Sequence, residues 1–291
     1  MELRVLKYFL VVAEEENITR AAKQLHLTQP TLSRQMIQLE EELGVSLFCR
    51  GKTKVTLTEE GVVLKKRAQE ILQLTEKTKQ EMNSPTLLSG NISIGCGESQ
   101  SMAIISKNIA GFLEKYPLVR FHIYSATADE IKDKLENGLL DIGLLMEPVN
   151  IEKYDFLRMP IKERWGVLVK DNSMLSEKEY VTSKDLISVP LIMARRACVN
   201  HELANWFGED YKFLKNVATC NLIMNAANMV KNDVGAAMCL NLDAQFEGLK
   251  FIPLKPKLEN GSVLVWKKGQ TTSAAAWRFI EQVRKNIAGE N

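Results

Sequence analysis

Residues 18–43 read ITRAAKQLHLTQPTLSRQMIQLEEEL, and this stretch decides the N-terminal fold. Ile18, Ala21, Ala22 and Leu25 fall at i, i+3, i+4 and i+7, one face of a short helix. His26 and Leu27 are too few to form a loop of their own. Thr28 can cap a second helix, and Pro30 fits its first turn, where the missing N–H leaves no bond unmade. Leu32, Met36, Leu39 and Leu43 then mark a second apolar stripe. Two helices with a tight turn and small Ala21 and Ala22 at the crossing describe a helix-turn-helix.

The opposite face of the second helix carries Gln29, Ser33, Arg34 and Gln38, side chains made for hydrogen bonding. In a major groove Gln pairs with adenine and Arg with guanine, while Ser and Thr reach base edges or phosphates. Thr28, Pro30 and Thr31, in the leading turn, complete the candidate DNA-contacting set on this helix. A solvated helix face is the plainer reading of such residues taken alone. The tight turn, the N-terminal placement and a basic loop nearby favour DNA.

Outward from this pair, Leu3, Leu6, Phe9, Leu10 and Ala13 repeat at helical spacing over Glu2–Glu15, a first helix that closes the core. After the second helix comes ELGVSLFCRGKTKVTLT, residues 42–58. Gly44 is a helix stop. Val45 and Leu47, then Val55 and Leu57, alternate around Arg50, Lys52 and Lys54, which predicts a short β-hairpin with a basic tip. Those cations suit phosphates rather than base edges.

These residues resemble the winged helix-turn-helix of LysR-type transcriptional regulators. The matching phrases are Phe9-x-x-Val12-Ala13, Ala21-Ala22-x-x-Leu25-x-Leu27-Thr28-Gln29-Pro30-x-Leu32-Ser33, Leu39-Glu40-x-x-Leu43-Gly44-Val45-x-Leu47-Phe48-x-Arg50 and Leu57-Thr58-x-x-Gly61. Together they are highly specific. The chain departs from the pattern at Asn17-Ile18, at Cys49, and at Lys52 and Lys54, where arginines are common.

The whole chain of 291 residues suits two or three domains. Its formal net charge is only +2, so DNA affinity must come from a local patch; Asn17–Leu57 carries a net excess of three positive charges. The five cysteines, Cys49, Cys96, Cys198, Cys220 and Cys239, contain no C-x-x-C pair, and the three histidines are far apart. No disulfide framework, metal site or cofactor is expected. With neither a signal peptide nor a run of 18 apolar residues, a cytoplasmic protein is expected.

Residues 1–57 are therefore read as the DNA-binding domain and 58–89 as a linker and dimerisation helix with a hinge. Leu57, Gly61, Leu64, Ala68, Ile71, Thr75, Thr78 and Met82 alternate by 4 and 3, a heptad seam. Beyond Asn83-Ser84-Pro85 the pattern turns to strands alternating with helices. Strands at 91–96, 120–125 and 141–146 flank helices at 102–115 and 129–137, a parallel βαβαβ signature. A second set follows: extended segments over 156–170, then strands at 190–194, 217–220, 234–240 and 261–267, with helices at 199–207, 222–231 and 273–287. The fold class is thus α/β with an N-terminal winged helix-turn-helix. Its C-terminal part, 90–291, resembles the two-lobed effector domain of the same family, which is similar to periplasmic binding proteins.

In open α/β sheets ligands sit beyond the carboxyl ends of the strands. The candidate effector residues are accordingly Ser99, Gln100, Ser101 and Thr127 on one lobe, with Arg195, Arg196, Cys198 and Asn221 on the other. The hydroxyls, the helix N-termini and the Arg pair suit a small anion. An α/β enzyme is disfavoured, because the chain lacks a nucleophile elbow, a P-loop and an H-E-x-x-H motif, and Glu98 and Glu147 have no paired histidine. A thiol-based redox sensor is the remaining alternative, with Cys49 beside Arg50 and Cys198 near Cys220.

The resemblance implies a homodimer or homotetramer that binds double-stranded DNA, responds to a small-molecule effector and contacts RNA polymerase. Two recognition helices in successive major grooves need half-sites about 34–36 Å apart, hence an imperfect palindrome. Arg34→Ala is expected to cost about 1–3 kcal/mol on the specific operator and to relax its sequence preference. Lys52→Ala is expected to weaken all DNA alike and to lower the salt slope by about one unit. Titrations on specific and random duplexes at several salt concentrations separate the two.

Overall fold

The computed structural model describes residues 1–50, 54–82, 88–194, 197–269 and 273–289; within these, the side chains at 50, 77, 80–82 and 197–200 are not described. The chain forms two compact units, Met1–Asn83 and Ser84–Asn291.

In the first unit, α1 (Leu3–Glu15), α2 (Ile18–Gln24) and α3 (Gln29–Leu43) precede a hairpin of β1 (Phe48–Arg50) and β2 (Val55–Leu57), and then α4 (Glu59–Met82). The cap predicted at Thr28 is present, and Asn17 supplies a further one. The Asn17 side chain accepts from the Arg20 N–H, and the Thr28 side chain from the Thr31 N–H. His26 takes a left-handed φ of 55°, which turns the chain sharply within the four residues between α2 and α3. Gly44, at φ 68°, ends α3.

The core of this unit joins Leu6, Phe9 and Val12 of α1 to Ala21, Ala22, Leu32, Met36 and Leu39. Phe9 meets Phe48 of the wing at 5.3 Å between ring centroids. Glu40 fixes the wing to α3, because its Oε1 accepts from the Leu47 N–H at 2.7 Å and the Phe48 N–H at 3.2 Å. β1 and β2 pair with Phe48 opposite Leu57 and Arg50 opposite Val55.

The first part of the stripe expected to form a heptad seam on α4 packs inside this unit. Gly61 and Ala68 are buried, and Leu57, Leu64 and Ile71 pack on the core of the first unit. Between Leu57 and Ile71 the stripe lies against the core to which α1 contributes Leu6, Phe9 and Val12. Thr75 and Thr78 turn their hydroxyls back to the Ile71 and Leu74 carbonyls of their own helix. Among the described residues, the large apolar side chains that α4 leaves exposed are Val62, Val63 and Leu74.

The second unit runs β3 (Gly90–Cys96), α5 (Ser101–Lys115), β4 (Val119–Ser125), α6 (Ala128–Glu136), β5 (Ile142–Met146), β6 (Tyr154–Arg158) and β7 (Glu163–Lys170). It continues through α7 (Ser183–Leu186), β8 (Pro190–Ala194), α8 (Ala197–Phe207), β9 (Lys215–Cys220), α9 (Ile223–Lys231) and β10 (Ala236–Leu240). β11 (Leu249–Pro253), β12 (Glu259–Asn260), β13 (Ser262–Lys267) and α10 (Ala274–Gly289) complete it.

Two sheets result. The first has the order β4-β3-β5-β13-β6, and the second β11-β7-β10-β8-β9 with β12 also on β7. β3, β4 and β5 are parallel, as the βαβαβ pattern requires, but β13 returns antiparallel between β5 and β6. The chain therefore crosses from sheet to sheet twice, at residues 159–162 and at Gly261. At the crossing β12 lies antiparallel to β7, with Asn260 opposite Glu163. β11 was not anticipated; it is a short edge strand ending in Pro253, a residue tolerated only at such an edge. Before β10 the turn residue Asp233 has a φ of 62°, a left-handed conformation that Asp tolerates better than most residues.

Gly61 marks a tight approach. A Cβ there would stand 2.2 Å from the Leu47 carbonyl oxygen, a backbone atom that cannot swing aside. Gly61→Ala is expected to destabilise the first unit by about 1–3 kcal/mol, despite the better helix propensity of alanine. Thermal unfolding of the full chain followed by circular dichroism checks this.

Candidate functional site

On the first unit the polar face of α3 stands clear of the core. Gln29, Pro30, Thr31, Arg34 and Gln38 are exposed and Ser33 is half-buried. Thr28 is exposed as well, with its hydroxyl 2.8 Å from that of Thr31, so the capping residue stiffens the leading turn. Gln35 donates to Gln38 at 3.1 Å, which orients one end of the face. In the wing, Lys54 pairs with Glu16 at 2.6 Å with both side chains largely in water, so the pair does little to hold it from another anion. Lys52 and the Arg50 side chain lie outside the described residues. A cap-stiffened helix end with hydrogen-bonding side chains in water has the shape and chemistry needed to enter a major groove.

In the second unit a cavity of about 250 Å³ opens between the two sheets. It lies where each strand order reverses, the position at which open α/β sheets bind ligands. Gly97, Glu98 and Thr127 follow β3 and β4 on one side, and Ala194, Asn221 and Leu222 follow β8 and β9 on the other. Most of the wall is apolar: Ile131, Met146, Trp165, Met193 and Met238 all face it. Among the described lining residues Glu98 is the one charged side chain.

Of the expected effector residues, Thr127 and Asn221 are on this wall. Ser99, Gln100 and Ser101 are not among the lining residues. They are engaged by Glu163, which reaches over from the start of β7. Ser99 Oγ donates to Glu163 Oε1 at 2.5 Å, and the Gln100 and Ser101 N–H groups donate to its two oxygens at 3.2 Å each. Glu163 is fully buried. Gln100 Nε2 also donates to the Asn241 carbonyl at 2.8 Å, and the Ser101 and Ser262 hydroxyls are 2.7 Å apart. Arg195 and Arg196 lie outside the described residues, as does the Cys198 side chain.

Three helix N-termini approach the cavity region, and each already has a carboxylate. Glu163 serves α5. Glu130 forms a capping box with Thr127 on α6, accepting from the Thr127 hydroxyl at 2.8 Å. Glu98 serves α9, its Oε2 accepting from the Ile223 N–H at 2.6 Å. An anion is favoured at such a terminus, and here the chain supplies its own. Sequence reasoning noted Glu98 only as an unpaired acid and passed over Glu163. The available signal was a single acid opening the strand ERWGVLVK, residues 163–170, ahead of its apolar stretch Trp165–Val169.

Two thiols, Cys220 and Cys239, also line the cavity. Burial, reinforced by the charge of Glu98, raises the Cys239 pKa to about 12, although an opposing backbone hydrogen bond with Leu168 lowers it. Cys220 donates to the Leu222 carbonyl at 3.2 Å. Among the described residues no cluster of His, Cys, Asp and Glu could hold a metal, and no helix is long and apolar enough to cross a membrane.

A winged helix-turn-helix and a two-lobed α/β domain with a cavity between its sheets define a DNA-binding regulator with an effector-binding domain. Residues 3–62 match the bacterial regulatory helix-turn-helix of the lysR family, and residues 85–288 match the LysR substrate binding domain. The chain belongs to the LysR family of transcriptional regulators, proteins that are not enzymes. It is 29% identical over 295 residues to the Hca operon transcriptional activator HcaR of Escherichia coli (strain K12), covering 99% of both chains. It is 33% identical over 197 residues to the HTH-type transcriptional regulator BsdA of Bacillus subtilis (strain 168), 67% of each. CbnR, a LysR family transcriptional regulator solved alone and with its target DNA, shares the fold. The DNA complex superposes at a TM-score of 0.77 with 20% identity over 98% of this chain and 99% of that one.

Glu163→Gln keeps the shape of the side chain but removes the charge that three donors share. It is expected to cost the second unit about 1.5–3 kcal/mol. All four tryptophans lie in this unit, so the urea midpoint of tryptophan fluorescence of the full chain reads the change.

Proposed function

We propose that this regulator reads an imperfect palindrome through α3 and the wing, and that a small, largely apolar molecule in the cavity sets how it holds that site. The cavity carries the ligand reading. It lies at the reversal points of both sheets, and closing on a ligand would bring its two apolar walls together. A ligand shifts such an equilibrium only if it binds one lobe arrangement better, and a cleft that buries it from both sides meets that condition.

The small anion expected from Ser99, Gln100, Ser101, Arg195 and Arg196 finds less support. The three described members of that set are already paired with Glu163, Asn241 and Ser262. Thiol sensing would have to use the exposed Cys49 or the half-buried Cys220, because Cys96 and Cys239 are buried and burial raises both pKa values, which keeps them as poorly reactive thiols at neutral pH. Pairing of two protomers would use the exposed Val62, Val63 and Leu74 face of α4, since the other face is occupied. A dimer or tetramer in the cytoplasm, touching RNA polymerase from its operator, completes this reading.

Ala226 lines the cavity from α9. Ala226→Phe is expected to fill the space, abolishing stabilisation by cavity ligands while leaving retardation of the operator unchanged. Failure of the wild-type protein to retard any fragment of its own genome at low ionic strength would overturn the DNA reading.

A further inference from the structure

We propose that Glu98 selects the ligand, and that the ligand is a small apolar molecule ending in a hydrogen-bond donor, best a primary amine, rather than an acid. This rests on the cavity being the effector site. Glu98 follows β3 and is held by one oxygen only, through the Ile223 N–H at the start of α9. That N–H fixes the direction of the carboxylate. Its Oε1 receives no hydrogen bond among the described residues, and Glu98 is one of the residues that line the cavity.

The other polar groups on the wall are mostly committed. The Thr127 hydroxyl is taken up with Glu130, and the Cys220 thiol with the Leu222 carbonyl. The nearby α5 terminus is closed to a ligand carboxylate, because Glu163 is fully buried in it. An acid entering the cavity would bring a second negative charge close to Glu98 between apolar walls, where like charges repel more strongly than in water. An amine meets a fixed, half-satisfied carboxylate and buries its hydrocarbon against Met146, Trp165 and Met238.

The test uses the full chain and matched triples of equal shape: cyclohexylmethylamine, cyclohexylmethanol and cyclohexanecarboxylate, and the same three end groups on a phenyl and on a cyclopentyl frame. Calorimetric titration is expected to rank amine above alcohol above acid, with amine at least tenfold tighter than acid on each frame that binds. Glu98→Gln is expected to weaken the amine at least tenfold and to leave the alcohol within threefold. An acid that binds the wild type best, and loses its binding in Arg195→Ala/Arg196→Ala, would overturn the proposal and leave the cavity reading standing. Binding that survives Ala226→Phe, or none by any triple, would remove the cavity reading and this proposal with it. The wild-type ranking decides the matter even if Glu98→Gln fails to fold.

Discussion

The second unit depends on one buried charge. Glu163 sits where the chain first crosses between sheets, and the donors it satisfies belong to the other sheet's first helix. A carboxylate without water is costly unless hydrogen bonds replace hydration, and here two backbone N–H groups and a hydroxyl do so. The second crossing runs alongside, with Asn260 opposite Glu163 and Ser262 against Ser101. Buried polar groups are thus concentrated where a hydrophobic core cannot form, because the chain must pass between two sheets with separate cores.

The same logic shapes the cavity. Glu98 does for α9 what Glu163 does for α5, and the two acids point in opposite directions between lobes. Each lobe closes the helix end of the other. The structure therefore has polar ties between its sheets, and among the described residues the cavity wall is mostly apolar, with Glu98 its one charged side chain.

Much of this was legible in the sequence, for identifiable reasons. Caps, helix stops and apolar periods are local, so α1, α2, α3 and the βαβαβ run follow from short windows. The exposed α3 face was equally readable, since it is what the Leu32–Met36–Leu39 stripe leaves over. Long-range pairing was not readable. The α4 stripe looked like an oligomer seam because periodicity shows that a face is covered, not by what, and between Leu57 and Ile71 it lies against the core of its own unit. Ser99 and Ser101 looked free because Glu163, more than sixty residues away, gives no local sign of its destination. β11 was missed because a five-residue edge strand ending in proline has too little pattern.

The double duty of α4 has a mechanical consequence. A Cβ at Gly61 would collide with the Leu47 carbonyl oxygen, and that same oxygen accepts from the Thr58 N–H, so the foot of α4 and the root of the wing share one backbone anchor. A displacement of either is thereby also a displacement of the other.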